Sequence, residues 1–164
     1  EVSSTPDSAV FFPIHDYFIS QLKDADSSAS FFTLQQNINS AKDSAYIDAA
    51  YLKKIAAIFL ETDIEKNEIK KFYKETIFED LTTASYTFSY KTTNEKLVTK
   101  NVDVLLDRGT QQVKWIFITR YRKSIDSSIT EKLNWHSHKS FSVNRMIAFP
   151  GKPDYTEQVS VSWK

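Results

Sequence analysis

Two of the chain's three histidines stand two residues apart in Asn134-Trp135-His136-Ser137-His138-Lys139-Ser140-Phe141. In an extended strand, residues i and i+2 project to the same side. His136 and His138 would then aim two imidazoles at one point, a donor set that suits zinc or iron. A carboxylate from a neighbouring strand, Asp103 or Asp107, would extend the set toward a metal-dependent or acid/base enzyme. The plainer alternative is a solvated strand. Asn134, Ser140, Ser142 and Asn144 share the histidines' parity, whereas Leu133, Trp135, Phe141 and Val143 hold the opposite one. A turn over residues 137–139 would also abolish the shared face.

A second constellation is Arg120 and Arg122, with Lys114 and Lys123 nearby. Two guanidiniums on one strand face can bind a phosphate or carboxylate through paired N–H donors; equally, they can be solvated cations that discourage edge pairing. Asp103 and Asp107 alternate along a strand. Glu61, Asp63 and Glu65 gather at an expected helix start, where the helix dipole favours carboxylates without any catalytic role. The chain has no Gly-x-Ser-x-Gly elbow, and its two glycines cannot build a Gly-rich phosphate loop. With no cysteine, disulfides, thiolate catalysis and thiolate metal sites are excluded.

Aromatic residues alternate on the strands that must carry these groups. Tyr86, Phe88 and Tyr90 form one set, and Trp115, Phe117, Tyr121 and Trp163 continue it. Rings so placed are either core under helices or the lining of an apolar pocket or partner-binding patch. Tyr86, Phe88, Tyr90, Trp115, Phe117 and Tyr121, with Arg120 and Arg122, are the candidate ligand-binding residues; His136 and His138 are the candidate metal ligands. No cofactor is indicated.

The elements follow from periodicity. Residues 1–9 are small, polar and Pro-containing, a lead-in or tether to a single domain over residues 10–164. Ile14, Tyr17, Phe18 and Leu22 after Pro13 predict a first helix, and residues 30–38 a first strand. Asp43 or Ser44 would cap a second helix bearing Ile47, Tyr51, Ile55, Ile58 and Phe59. Thr62 and Glu65 have capping-box spacing, and Ile69, Phe72 and Tyr73 extend the pattern to a third helix ending near Glu79. From Ala84 the period changes to two, giving about five strands with short connections, including a turn at Asp107-Arg108-Gly109-Thr110. Residues 113–122 are apolar on both faces, which predicts a central strand with something packed on each side for part of its length. The fold class is α+β: an antiparallel, twisted sheet of about five to six strands with about three helices packed on one face.

At 164 residues, 41% hydrophobic and 26% charged, the chain can bury its own core. Lys+Arg and Asp+Glu both number 21, so no net field steers it onto nucleic acid. No apolar run is long enough to span a bilayer as a helix.

Three segments together resemble uncharacterised cell-envelope lipoproteins of Bacteroidetes-type bacteria. They are Phe11-Phe12-Pro13-Ile14-His15-Asp16-Tyr17-Phe18, Tyr86-Thr87-Phe88-Ser89-Tyr90, and Leu133-Asn134-Trp135-His136-Ser137-His138-Lys139-Ser140-Phe141. The resemblance implies export to the periplasm or outer membrane and membrane attachment through an N-terminal lipid anchor on an upstream cysteine. The sequence opens at Glu1 without a methionine, as expected of a piece of a longer or processed product, and holds no such cysteine. The resemblance implies no activity. The expectation is therefore a non-enzymatic envelope domain that binds an unknown protein partner or small-molecule ligand through its aromatic-rich sheet, with the His136/His138 enzyme as the alternative.

Overall fold

The computed structural model describes residues 10–29 and 31–163, so the expected lead-in over residues 1–9 lies outside it. In chain order the elements are α1 (Ile14–Ser28), β1 (Phe32–Ile38), β2 (Ala41–Ile47), α2 (Ala49–Leu60), α3 (Asn67–Lys70), β3 (Lys74–Asp80), β4 (Ser85–Lys91), β5 (Thr99–Asp107), β6 (Val113–Lys123), β7 (Ser128–His136), β8 (Ser140–Ala148) and β9 (Tyr155–Ser162). The class is α+β, as expected. The sheet has nine strands rather than five to six, in the order β2-β1-β9-β8-β7-β6-β5-β4-β3, and every neighbouring pair is antiparallel. From β3 to β9 the chain meanders strand by strand; the last strand then docks beside the first, carrying β1 and β2 onto the far edge.

Two of the unforeseen strands replace expected helix. Asn39 and Ser40 both take left-handed backbone angles, the requirement of a two-residue type I′ hairpin whose twist matches the strands it joins. That turn sends residues 41–47 back along β1 as β2, so the second helix starts later than Asp43 or Ser44. Its cap is Asp48, whose carboxylate accepts the Tyr51 N–H at 2.9 Å. The third helix lasts one turn, and residues 74–80 pair with β4 as edge strand β3. The Thr62/Glu65 capping box does not form: the N-cap of α3 is Lys66, without a side-chain cap bond, and the buried Thr62 hydroxyl has no partner among the described residues.

One face of the sheet is apolar and carries α1 and α2. From α1 it receives Ile14, Phe18, Leu22 and Ala25, and from α2 Leu52, Ala56 and Phe59. Phe59 lies 5.0 Å from Trp135, 5.3 Å from Phe141 and 5.2 Å from Phe18 between ring centroids, so one α2 ring ties both helices to β7 and β8. Trp135 and Phe141 are buried core residues, as their parity predicts. β6 is an interior strand, yet it is covered on one side only. Ile116 and Ile118 are buried, while Phe117 and Tyr121 on the opposite face remain exposed. Covering both faces would need a second helical layer, and among the described residues the helices that pack on the sheet supply only one.

Candidate functional site

The inner face changes character within one strand pair. Ile118, Leu133, Val143 and Val159 stand opposite one another across β6 to β9, and they are buried. Two residues further along each strand, on the same face, the register aligns Arg120 with Glu131, Glu131 with Arg145, and Arg145 with Glu157. Four adjacent strands thus present a row of alternating charge next to the hydrophobic core. Opposite charges directly across an antiparallel pair attract, and burial places a heavy demand on Arg120 and Glu131 to find partners.

Arg145 meets that demand for Glu131, whose side chain is 1% exposed. Its Nε and Nη2 reach Glu131 Oε2 at 2.9 and 2.8 Å, and Nη1 reaches Glu157 Oε2 at 3.3 Å. Arg120 is treated differently. Its side chain is 8% exposed and its Nη2 pairs with Glu61 Oε2 at 3.1 Å, but its Nε stands 3.8 Å from Glu131 Oε1, beyond hydrogen-bonding reach. Among the described residues neither Nε nor Nη1 of Arg120 has an acceptor. Arg122 Nη2 is likewise 3.9 Å from Glu131 Oε1.

These groups open onto a cavity of about 410 Å³ between α2 and the sheet. Lys54 and Glu61 come from α2 with the apolar walls Ile55 and Ile58; Val143 and Val159 close the sheet side. The polar lining carries four cations (Lys54, Arg120, Arg122, Arg145) against three carboxylates (Glu61, Glu131, Glu157). A concave apolar wall with a few convergent polar groups is the usual form of a small-molecule site, and a cationic excess with unused buried N–H donors selects an anion.

The sheet divides the sequence-derived ligand set. Arg120 and Arg122 share the inner face and the cavity. Tyr86, Phe88 and Tyr90 also face inward but on β4, two strands from β6. Tyr90 is fully buried: its ring packs 4.7 Å from Phe11 and its hydroxyl oxygen accepts the Phe12 N–H at 2.8 Å. Trp115, Phe117 and Tyr121 lie on the outer face, Trp115 stacked between Phe117 at 5.7 Å and His136 at 3.9 Å. The eight residues therefore make no single site. Lys114, at the far end of β6, pairs with Asp107 at 3.3 Å.

The histidines part company as well. Residues 137–139 are a turn, with His138 in the left-handed region. His136 remains on the outer face, where burial and then Lys139 lower its pKa below the usual imidazole value. His138 folds over α1: its N–H donates to Gln21 Oε1 at 2.8 Å and its ring stands 3.8 Å from Asp24. The same Gln21 oxygen accepts the Trp135 indole N–H at 3.1 Å, and Tyr17 hydrogen-bonds the Ser137 hydroxyl, so the turn is structurally anchored. Asp103 stands opposite Phe117, one row away from the Trp115–His136 pair, and Asp107 caps its own turn by accepting the Gly109 and Thr110 N–H groups. Among the described residues no group of three or more His, Asp or Glu side chains is placed to hold a metal ion.

Glu61 also changes role. It sits at the C-cap of α2 rather than at a helix start, and its partner is Arg120. Sequence reasoning missed Lys54, Glu131, Arg145 and Glu157. The available signal was parity: Glu131 has the parity of Leu133 and Trp135, and Arg145 that of Phe141 and Val143, so each charge interrupts an otherwise apolar face. No protein-family model matches the chain, and no curated protein matches it.

Proposed function

We propose that the chain is an exported, non-enzymatic binding domain of the cell envelope that holds a small organic ligand between α2 and the sheet. The observation that carries this is Arg120, buried at the base of a 410 Å³ cavity with two N–H nitrogens that no described protein group accepts. A buried guanidinium with two of its three nitrogens left without an acceptor is expensive to maintain for stability alone, and a ligand acceptor supplies what the fold omits. The walls mix apolar and charged groups without the adjacent nucleophile and base that acyl or phosphoryl chemistry needs, which supports binding over turnover. Export rests on the resemblance to envelope lipoproteins.

The test is recovery of a ligand. The purified chain is incubated with a small-molecule extract of bacterial envelope, desalted, denatured and examined by mass spectrometry beside Ala57→Trp, a bulky substitution at an exposed α2 residue that also lines the cavity and is designed to obstruct it. A compound retained by the wild type and lost from the variant supports the role. Equal recovery from both places binding elsewhere and refutes it.

A further inference from the structure

We infer that the cavity takes an organic monocarboxylate with a short apolar body, and that the carboxylate binds Arg120 by displacing Glu61. This rests on the proposed binding role and names the ligand class for that same site.

A guanidinium offers two flat donor edges, Nη1 with Nη2 and Nε with Nη2, each matched to a two-oxygen acceptor. Glu61 occupies Nη2, the nitrogen common to both edges, and leaves Nη1 and Nε unused. A protein carboxylate thus already marks where an anion goes, but it satisfies only one donor. Glu61 is also the group best placed to leave. Its side chain is 63% exposed, and it stands at the C-cap of α2, where the helix dipole disfavours negative charge. Nε and Nη1 are shielded while Glu61 is in place; its return to solvent uncovers Nη2, and the inferred ligand then engages the Nη1–Nη2 edge.

At Arg120 itself the charge favours a ligand with one negative group. Glu131 and Glu157 remain in the same row and share the single Arg145, while Arg122 and Lys54 are solvent-exposed and screened, so a second negative charge would meet the two carboxylates with little buried compensation. Ile55, Ile58, Val143 and Val159 provide the apolar wall against which a hydrocarbon body is removed from water.

Calorimetric titration of the 164-residue chain with hexanoate, hexanamide and hexyl phosphate tests the inference. Hexanoate should bind at least tenfold more tightly than the neutral hexanamide, and more tightly than hexyl phosphate. Arg120→Gln should abolish the preference for hexanoate over hexanamide. Glu61→Gln, a change at an exposed side chain that the fold tolerates, should strengthen hexanoate binding about two- to fivefold, the scale of an exposed ion pair removed as competitor. Equal binding of hexanoate and hexanamide, or tighter binding of hexyl phosphate, overturns the carboxylate class while leaving a binding cavity. Weakened hexanoate binding in Glu61→Gln overturns the displacement. If none of the three probes binds, while the envelope extract yields a compound that Ala57→Trp loses, the inferred class is wrong and the binding role stands; if the extract also yields nothing, both fail.

Discussion

Replacing Arg145 with leucine tests whether the charged row is a sealed part of the fold. The Glu131 side chain is 1% exposed, and among the described residues Arg145 is the only side chain within hydrogen-bond distance of it. Arg120 and Arg122 stand at 3.8 and 3.9 Å, where they attract the carboxylate without satisfying it. Removing one partner of a buried pair costs roughly 3–5 kcal/mol, because a charge is left desolvated. The two remaining arginines place Arg145→Leu at the lower end, about 3 kcal/mol, or a fall of about 6–12 °C in Tm for a chain of this size. The double variant Glu131→Leu/Arg145→Leu removes the stranded charge with its partner and should recover at least half of the loss. Urea unfolding followed by tryptophan fluorescence measures all three free energies. A loss below about 1 kcal/mol in Arg145→Leu would refute the reasoning, since Glu131 would then be solvated in the native state. Lys53→Ala is the control: its pair with Asp26 at 3.0 Å is about half exposed on both sides, and it should change stability by less than about 1 kcal/mol.

Phe59→Ala should cost about 3–5 kcal/mol by denaturant unfolding, because Phe59 is fully buried among Phe18, Trp135 and Phe141; a loss under about 1 kcal/mol would show that α2 does not rest on this contact. Burial pushes Tyr73 up to about 12 from 10.0, and its hydroxyl donates to the Thr99 carbonyl at 2.7 Å. The unfolded chain then releases this proton first, so stability should be intact below pH 10 and decline between about pH 10 and 12. Tyr73→Phe should flatten that decline in a pH series of urea midpoints, and an unchanged slope would exclude Tyr73 as its source. His136 has its pKa lowered below 6.5, so the native state holds that proton more weakly than the unfolded chain, and stability should fall as pH drops below about 6.5. Quenching of Trp115 by the stacked His136 should show a midpoint under 6.5 that disappears in His136→Asn; a midpoint above 6.5 would contradict the burial that sets the shift.

The meander from β4 to β9 was legible because each strand buries one face. Trp135, Phe141, Val159 and Val161 are apolar at alternate positions, and that period cannot be mistaken for a helix. The edges were not. Every residue of β2 except Ile47 is exposed, so no buried face imposes a period, and what identifies it is the Asn39-Ser40 turn. β3 follows a one-turn helix; Ile69 within it and Phe72 and Tyr73 beyond it keep helical spacing, although the chain has already left the helix and Tyr73 folds its hydroxyl onto β5. Local spacing there competes with pairing to Tyr90 and Phe88, a contact about a dozen residues away in sequence, and pairing wins.

The site was half legible for a related reason. Arg120 and Arg122 announce themselves as cations two apart on one strand, whereas Glu131, Arg145 and Glu157 gain meaning only through register. One residue of slip in β7 would move Glu131 to the outer face and Asn134 inward, and the charged row would vanish. The register is held by the core that precedes it: Trp135 cannot leave its contacts with Phe59 and Phe141 without exposing a full indole. The same aromatic packing that closes the inner face therefore aligns, two rows away and across the intervening Ile118, Leu133, Val143 and Val159, the arginines and glutamates of the cavity. Substitutions that loosen Trp135 should accordingly weaken ligand binding at Arg120 even though the two side chains lie on different strands and in different rows.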